Sequence, residues 1–266
     1  MTSSAPKNAV ILAAGVGSRL RPLTDLRPKP LVEVNGTPIL YNALRHLETV
    51  GVQEVTIVVG YRKEAIQYAC GTRFGELKIA YVESSVFDRT GSAYSLWLAR
   101  DALLRGDIYL LEGDVFFEED ALHYLARSPA ADVAAVAPFQ PTMQGSAVLL
   151  SECRFISCFR MKQSGADLSI GGPMLFKTLN LLRLSGSTLC TTIVPSLNEI
   201  IASGATGAYT EELLSYLVEH RGLQLAAIRC DGLRWYEIDN ADDLRIASNL
   251  FADRSIARRP QALRSD

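Results

Sequence analysis

The 266-residue sequence predicts an α/β fold in which helices flank one mainly parallel sheet. Three short apolar runs, at residues 8–14, 55–59 and 108–111, have the length and composition of strands that are buried on both faces. Segments with apolar residues at helical spacing lie between them. A strand, a helix and a second strand within about 50 residues are typical of parallel βαβ units, and the repetition of this order indicates the fold class.

The first half of the sequence alternates strands with helices. Gly15 ends the first strand, and Gly51 is placed to end the first long helix. The stretch from Val16 to Lys29 is rich in Gly, Arg and Pro without periodicity, which predicts a functional loop. In order, we expect a strand at 8–14, a loop at 16–29, a helix at 38–51, strands at 55–59 and 79–82, a helix at 95–103 and a strand at 108–111.

The second half begins with a change of pattern at Asp132, where short β-like pieces are joined by polar turns. These pieces predict antiparallel additions to the sheet, built over its substrate side. Helical spacing then returns. We expect strands at 133–137, 147–150 and 154–159, helices at 193–203 and 210–220, a strand at 225–228, an extended segment at 235–238 and a final helix at 242–251.

The composition excludes several classes of protein. With 48% hydrophobic and 21% charged residues and a net charge of -2, the sequence is typical of a globular protein without the basic field that favours nucleic acid. The five cysteines form no CxxC pair, which argues against a zinc or redox centre. No apolar run approaches the ~18 residues of a membrane span, and no signal peptide is recognisable. We therefore expect a cytoplasmic protein that binds neither nucleic acid nor membrane.

The loop after the first strand reads LAAGVGSRL over residues 12–20. Glycines at the carboxyl end of a parallel strand let backbone N–H groups approach an anion, so we expect a nucleotide here. The loop lacks the Gly-Lys-Ser/Thr of a P-loop. It also lacks the features of a dinucleotide-binding loop, since Leu20 replaces its third glycine and Gly60 stands near the position of its acidic residue. The expected nucleotide-binding residues are Leu12, Ala13, Ala14, Gly15, Gly17, Ser18 and Arg19.

Three segments resemble one protein family. The loop followed by PKPL at 28–31 resembles the sugar-nucleotidyltransferase superfamily, whose pattern is LAAGxGxR followed by PKxL. The segment WYEIDN at 235–240 resembles the C-terminal metal motif of the cytidylyltransferases that activate phosphocholine and phosphonates. FKTLN at 176–180 resembles the Lys-Thr-Val-Asn motif of the phosphonate-activating members. The resemblance covers most of the chain and implies a Rossmann-like sheet.

The resemblance also implies a magnesium site. Asp114 follows an apolar strand at the same sheet edge as the glycine loop, and it is similar to the metal aspartate of the superfamily. Asp239 matches the C-terminal metal-binding acid, with Glu237 as a further candidate on the same side of an extended strand. Mg²⁺ takes one or two protein carboxylates and completes its octahedron with phosphates and water. Asp242 and Asp243 are instead expected to cap and charge the first turn of the last helix.

Three cations are the expected catalytic residues. Arg19 would support the phosphates that leave, Lys29 would bridge donor and acceptor phosphates, and the resemblance implies that Lys177 orients the acceptor. Ser92 lies in a small polar stretch that borders the nucleotide in the family. This stretch departs from the family's asparagines, with Gly91 and Ser92 in their place, so the contacts of relatives are not transferred beyond Ser92 itself.

Together these residues predict a Mg²⁺-dependent nucleotidyltransferase that moves CMP from CTP to a small phosphonate or alkyl phosphate and releases pyrophosphate. A uridylyl- or thymidylyltransferase that acts on a sugar 1-phosphate is the alternative that uses the same type of reaction. A catalytically silent nucleotide-sensing module is the alternative from another class, and a nicotinamide-dependent oxidoreductase is disfavoured by Leu20 and by the missing acid after Val59.

The organisation predicted for this enzyme is one nucleotidyltransferase domain over residues 1–252. Its nucleotide-binding half lies at about 8–130 and its acceptor-binding half at about 131–252, followed by a basic tail at 253–266. The expected partners are CTP or another nucleoside triphosphate and a small phosphonate or phosphate-ester acceptor. A homodimer is also possible in principle, since dimers are common among enzymes.

Overall fold

The structure is a computed structural model that describes residues 5–168 and 172–252. The strands are β1 (Asn8–Ala13), β2 (Glu33–Val34), β3 (Thr37–Pro38), β4 (Glu54–Val59), β5 (Arg73–Phe74), β6 (Leu77–Glu83), β7 (Ile108–Glu112), β8 (Val115–Phe117), β9 (Val133–Pro138), β10 (Gln144–Leu150), β11 (Ile156–Ser164), β12 (Phe176–Leu184), β13 (Ala226–Arg229) and β14 (Trp235–Glu237). The helices are α1 (Leu23–Leu26), α2 (Ile39–Thr49), α3 (Lys63–Cys70), α4 (Ser92–Leu98), α5 (Arg100–Leu103), α6 (Asp120–Arg127), α7 (Gly186–Thr188), α8 (Val194–Ala202), α9 (Thr210–His220) and α10 (Ala241–Leu250).

Most of the described strands belong to one large sheet. Its order is β11, β10, β12, β7, β1, β4, β6 and β5, and β9 joins it by pairing with β12 and β13. Strand β1 lies at the centre, parallel to β4 and β7, with Asn8 opposite both Glu54 and Ile108. The predicted α/β class with a mainly parallel core of strands is therefore confirmed. The carboxyl ends of β1, β4 and β7 meet at one edge, where ligands bind in open α/β sheets.

Both faces of the sheet are covered by apolar helices, which explains why the central strands are continuous apolar runs. On one face Ile11 packs with Leu44 of α2 and Leu122 of α6. On the other face Val10 packs in a second cluster with helices α4, α8 and α9. Successive residues of a strand point to opposite faces, so neighbouring apolar residues supply the two cores in turn.

The antiparallel strands extend the same sheet beyond β7, and β12 is the strand that connects them to it. All nine residues of β12 are buried. One edge pairs with β7, where Leu181 lies opposite Leu111, and with β10, while the other edge pairs with β9. The sequence analysis assigns no strand over this range, because Lys177, Thr178 and Asn180 interrupt the apolar pattern. They are buried in the fold because other parts of the chain give them partners.

A small second sheet brings the end of the chain to the functional edge. Strand β14 pairs with β8 so that Glu237 lies opposite Val115, and the backbone N–H of Ile238 donates to the carbonyl of Asp114 at 2.9 Å. Helix α10 follows at once, capped by Asn240, whose side chain accepts hydrogen bonds from the first turn. Asp243 completes this capping box, as expected.

The remaining differences between the predicted and the observed elements concern segments whose sequences have no strong helical or strand pattern. The helix expected at 95–103 begins earlier, at Ser92, and is divided into α4 and α5. Helices α3 and α6 are absent from the sequence analysis. The predicted basic tail at 253–266 lies outside the described residues. Among the residues that are described, no helix is both long enough and apolar enough to cross a bilayer.

Candidate active site

The glycine loop leaves the end of β1 with backbone donors free for a ligand. Leu12, Ala13 and Ala14 are buried at this strand end, whereas the loop that follows is largely exposed. Within residues 5–168 and 172–252, the backbone N–H groups of Gly15, Gly17 and Ser18 donate no hydrogen bond. Donors of this kind can bind an anion directly.

Gly17 also positions the lysine that follows the loop. Its φ of 65° lies in the left-handed region that favours glycine. A Cβ at this position would lie 2.8 Å from the Cβ of Lys29 and 3.2 Å from the Cγ2 of Thr24. The loop therefore packs closely against the Lys29 side chain only because residue 17 is a glycine.

Lys29 links two carboxylates from distant parts of the chain. Its Nζ donates to Asp114 Oδ2 at 2.9 Å and to Asp239 Oδ1 at 2.8 Å. Arg19 Nη2 lies 2.9 Å from the same Asp239 oxygen, on the exposed side. Burial opposes the charge on Lys29, but Asp114 and Asp239 outweigh it and raise the pKa of the ammonium above its usual value. Lys29 is thus a fixed cation at the mouth of the glycine loop.

A second lysine, Lys177 on β12, also forms an ion pair with a carboxylate. Lys177 Nζ lies 2.6 Å from Glu237 Oε2, and Asn180 Nδ2 donates to Glu237 Oε1 at 3.3 Å. Thr178 Oγ1 donates in turn to Asn180 Oδ1 at 3.0 Å. Burial alone would lower the pKa of Lys177, but the Glu237 charge raises it. Burial raises the pKa of Glu237 despite the neighbouring Lys177 ammonium.

Three carboxylates converge between these lysines. Asp114, Glu237 and Asp239 each place one oxygen within 4.8 Å of the other two. The second oxygen of Asp114, Oδ1, is buried and has no hydrogen-bond partner. Burial favours the protonated form of Asp239, but Lys29 and Arg19 lower its pKa, so it is ionised. A set of carboxylate oxygens with one unpartnered oxygen fits a hard divalent cation such as Mg²⁺.

An open cleft of about 300 Å³ lies in front of this cluster. It is lined by the cations Arg19 and Lys177 together with Glu237 and Asp239. Its walls are completed by Thr142, Met143, Gln144, Trp235, Tyr236, Asn240, Asp242, Asp243 and Ile246. Both cations and carboxylates line this surface, which suits a ligand that carries several phosphate charges and a metal ion.

Ser92 is placed differently from the other candidates. Its Oγ accepts hydrogen bonds from the backbone N–H of Thr210 at 2.8 Å and from Thr210 Oγ1 at 3.0 Å. The hydroxyl therefore joins the start of α4 to the start of α9. Its contact with a nucleotide stays a prediction.

Two carboxyl groups near the site are absent from the sequence analysis. Glu112 and Glu211 line a small, otherwise apolar cavity of about 20 Å³, together with Thr178 and Asn180. Burial raises the pKa of Glu112 well above its usual range and raises that of Glu211. The position of Glu112 at the end of an apolar strand, two residues before Asp114, is a signal that could have identified it. Nothing local in the sequence marks Glu211.

Comparisons with known proteins show which family the chain resembles. The family model described as nucleotidyl transferase matches residues 8–144. The CMP-5'-(3-aminopropyl)phosphonate synthase of Streptomyces rubellomurinus is 37% identical over 250 residues, which are 93% of this chain and 39% of that protein. The 2-aminoethylphosphonate cytidylyltransferase of Lancefieldella rimae is 37% identical over 113 residues, 42% of this chain and 45% of that protein. The chain thus spans less than half of the length of either relative.

A solved structure shows the same fold over nearly the whole chain. The CTP:phosphocholine cytidylyltransferase from Streptococcus pneumoniae superposes with a TM-score of 0.75 at 20% identity, covering 93% of this chain and 100% of that one. The resemblance expected from the glycine loop and the two later motifs is confirmed by these findings.

Proposed function

This chain belongs to the nucleotidyl transferase family, and from that membership we propose that it transfers CMP from CTP to a small phosphonate or phosphate ester and releases pyrophosphate. The observation that carries the proposal is the pairing of two lysines with three carboxylates at the sheet edge that carries the glycine loop. Lys29 lies between Asp114 and Asp239, and Lys177 lies beside Glu237. Such an arrangement can hold two phosphate-bearing ligands and a divalent metal ion together.

The reaction requires an acceptor oxygen to attack the α-phosphorus of the nucleotide. A P–O bond to the acceptor forms as the bond to the departing pyrophosphate breaks on the opposite side. A phosphonate or phosphate oxygen is already ionised near neutral pH, so no strong general base is needed. Positioning and neutralisation of charge therefore supply most of the catalysis.

The side chains of the site divide this work. Backbone N–H groups of Gly15, Gly17 and Ser18 would bind the triphosphate, with Arg19 at the phosphates that leave. Lys29 would donate to phosphate oxygens as the charge develops between donor and acceptor. Lys177, which Glu237 positions in the cleft, would bind the anionic end of the acceptor.

A Mg²⁺ ion would be held by Asp114 and Asp239, with Glu237 as the third carboxylate. When bound, the ion neutralises phosphate charge and fixes the geometry of the transferred group. The free Oδ1 of Asp114 and the all-oxygen donor set support this assignment. Without the ion, Lys29 neutralises Asp114 and Asp239, and Lys177 neutralises Glu237.

The choice of CTP and of a phosphonate is supported by the two relatives named above. Both names specify a cytidylyl or CMP product and an aminoalkylphosphonate. The proposal of nucleotidyl transfer is supported by the site geometry, whereas the proposal of cytidine as the base and of a phosphonate as the acceptor is supported by these relatives. The division into nucleotide and acceptor halves, a homodimer and a cytoplasmic location stay predictions.

The test is pyrophosphate release with Mg²⁺. CTP, UTP, ATP, GTP and dTTP are each paired with alkylphosphonates, aminoalkylphosphonates, phosphocholine and sugar 1-phosphates. We expect pyrophosphate release only when CTP is paired with a phosphonate or a phosphate ester. Release with UTP or dTTP and a sugar 1-phosphate would replace the substrate class, and the absence of release from folded protein in every combination would favour a nucleotide-sensing module.

The metal assignment has a matched pair of variants. Asp239→Asn removes a carboxylate charge from the cluster and should lower turnover by at least about 100-fold at saturating Mg²⁺. Asp231→Asn makes the same change eight residues earlier, where the side chain is exposed, pairs with Arg229 and does not line the cleft, and it should retain normal turnover. Near-normal turnover of Asp239→Asn would show that the metal assignment is wrong.

A further inference from the structure

The glycine loop is held on the sheet by two of its own carbonyl groups. The carbonyl oxygen of Ala14 accepts a hydrogen bond from the backbone N–H of Tyr61 at 2.9 Å. The carbonyl oxygen of Gly17 accepts from the Thr24 hydroxyl at 3.0 Å and from the backbone N–H of Leu20 at 3.0 Å. Thr24 is fully buried, so its hydroxyl holds Gly17 from the protein side of the loop.

The planarity of the peptide bond carries this constraint to the donors of the loop. In a trans peptide, the C=O of one residue and the N–H of the next point in opposite directions. The bonds Ala14–Gly15 and Gly17–Ser18 are both trans. A carbonyl held toward the protein therefore turns the next N–H away from it. Gly15 and Ser18 are exposed, and their N–H groups are among those that would bind phosphate oxygens.

Tyr61 connects the two held peptide groups. Besides its backbone bond to Ala14, its hydroxyl donates to the carbonyl of Thr24 at 3.0 Å. Tyr61 thus fixes the first peptide group directly and the second through Thr24. A Cβ on Gly60 would lie 2.7 Å from the Ala14 oxygen, so the turn that carries Tyr61 can approach the loop this closely only because residue 60 is a glycine.

Donors that are already oriented bind an anion more tightly than mobile ones, because less conformational entropy is lost on binding. Glycine has the largest conformational freedom of any residue, so a loop that contains Gly15 and Gly17 needs other contacts to become rigid. The bonds from Tyr61 and Thr24 supply such contacts without occupying the N–H groups that face away.

From these contacts, and resting on the triphosphate-binding role proposed above for the loop, we propose that Tyr61 and Thr24 form a relay that orients the N–H groups of Gly15 and Ser18 toward the phosphates. Both are positioning residues, because they act on the loop and not on the nucleotide. The relay serves a chain of phosphates, whichever base and acceptor are used. Its loss should weaken the binding of polyphosphate and leave the KM of the acceptor unchanged.

The experiment measures the binding of sodium tripolyphosphate to the full chain by titration calorimetry in the presence of Mg²⁺. This probe carries a chain of phosphates and lacks a base, so it reports on the phosphate site without a contribution from the base. The dissociation constant of CTP and the KM values of CTP and of the acceptor are measured for the same variants. A thermal unfolding curve for each variant confirms that it is folded.

Thr24 permits a matched pair of variants. Thr24→Val removes the hydroxyl and keeps the branched shape, so the dissociation constants of tripolyphosphate and CTP should rise about 3- to 10-fold, as for one lost hydrogen bond. Thr24→Ser loses a methyl group and keeps the hydroxyl that donates to Gly17. It should bind both compounds as tightly as the wild-type protein, although the missing methyl group lowers its stability.

Tyr61→Phe removes only the hydroxyl and should raise the same dissociation constants by a similar factor. Its control is Tyr41→Phe, because the Tyr41 hydroxyl also donates to a backbone carbonyl, that of Ala69, at 2.7 Å, but joins α2 to α3. Both tyrosine variants should lose similar thermal stability, whereas only Tyr61→Phe should weaken binding. Thr24→Val and Tyr61→Phe together should weaken it by less than the product of their single effects, because they interrupt the same relay.

The outcomes separate this inference from the proposed function. Wild-type affinity for tripolyphosphate in Thr24→Val or Tyr61→Phe contradicts the relay, and so does equal weakening by Thr24→Ser or Tyr41→Phe. A wild-type protein that does not bind tripolyphosphate contradicts it as well. If the expected differences in binding are found but no acceptor supports CTP-dependent pyrophosphate release, the proposed function is wrong and the relay is supported.

Discussion

Lys29 is the side chain that connects the middle of the sequence to its C-terminal part. Its ammonium contacts Asp114 after β7 and Asp239 after β14, and it is only 13% exposed. Both carboxylates are also members of the acidic cluster proposed to hold Mg²⁺. A metal ion and Lys29 would therefore neutralise the same two carboxylates, so each would lower the need for the other as a source of positive charge.

Replacing Lys29 by Met should affect turnover and the response to Mg²⁺ in opposite directions. We expect turnover to fall by about 100-fold or more, because a donor to the developing phosphate charge is lost. Without the ammonium, Asp114 and Asp239 repel each other, so Mg²⁺ should raise the melting temperature more than in the wild-type protein. Steady-state pyrophosphate release and thermal unfolding with and without Mg²⁺ measure the two effects.

The control for this variant is Lys63→Met, which removes a lysine whose partner, Glu83, is half exposed. It should leave both turnover and the Mg²⁺ response unchanged. If Lys29→Met turned over normally, or if Mg²⁺ stabilised it no more than the wild-type protein, Lys29 would have neither of the two roles.

At the scale of elements, the start of α4 depends on close backbone contact with the segment before α9. The backbone N–H of Gly91 donates to Thr206, and that of Ala93 donates to Ala208. A Cβ on Gly91 would collide with the carbonyl oxygen of Ala208. This approach also brings Ser92 to Thr210 and so sets the position of the helix that carries Glu211.

Gly91→Ala should therefore destabilise the protein by about 1–3 kcal/mol, since one of the two backbone segments must move. Gly207→Ala is the matched control on the opposing segment, because a Cβ there meets no atom within 4 Å. Its effect should be much smaller. Urea denaturation gives the free energy of unfolding of each variant. Equal values for the two variants would show that the contact is not tight in solution.

At the scale of the whole molecule, β12 joins the predicted nucleotide and acceptor halves. It pairs with β7 from the first half and with β9 and β10 from the second. Leu181 in this strand is fully buried in the apolar core on the face of the sheet covered by α2 and α6. Because the halves share a sheet and a core, their unfolding should be coupled.

The two tryptophans allow this coupling to be measured. Trp97 lies in α4, and Trp235 lies in β14. In the single-tryptophan variants Trp97→Phe and Trp235→Phe, fluorescence and circular dichroism should give one urea midpoint per variant. Leu181→Ala, added to each, should cost about 2–5 kcal/mol and lower the midpoint seen by either tryptophan. Separate midpoints for fluorescence and circular dichroism would show that the halves unfold independently.

Much of the fold could be predicted because its signals are local. The buried strands β1, β4 and β7 are mostly apolar runs, and the glycine loop and Asp114 follow two of them. Strand β12 could not be recognised in the same way, because its polar residues become tolerable only after Glu237 and neighbouring strands surround them.

By itself, the sequence determined the α/β class and predicted the anion-binding loop and the residue types of the site, since periodicity and motif spacing act over short stretches of chain. Only the tertiary structure decided which cation contacts which acid and placed Glu112 and Glu211 on one cavity. Strand order and helix placement bring together residues far apart in the chain. Local patterns do not encode that order, because it depends on how all the apolar faces are buried at once.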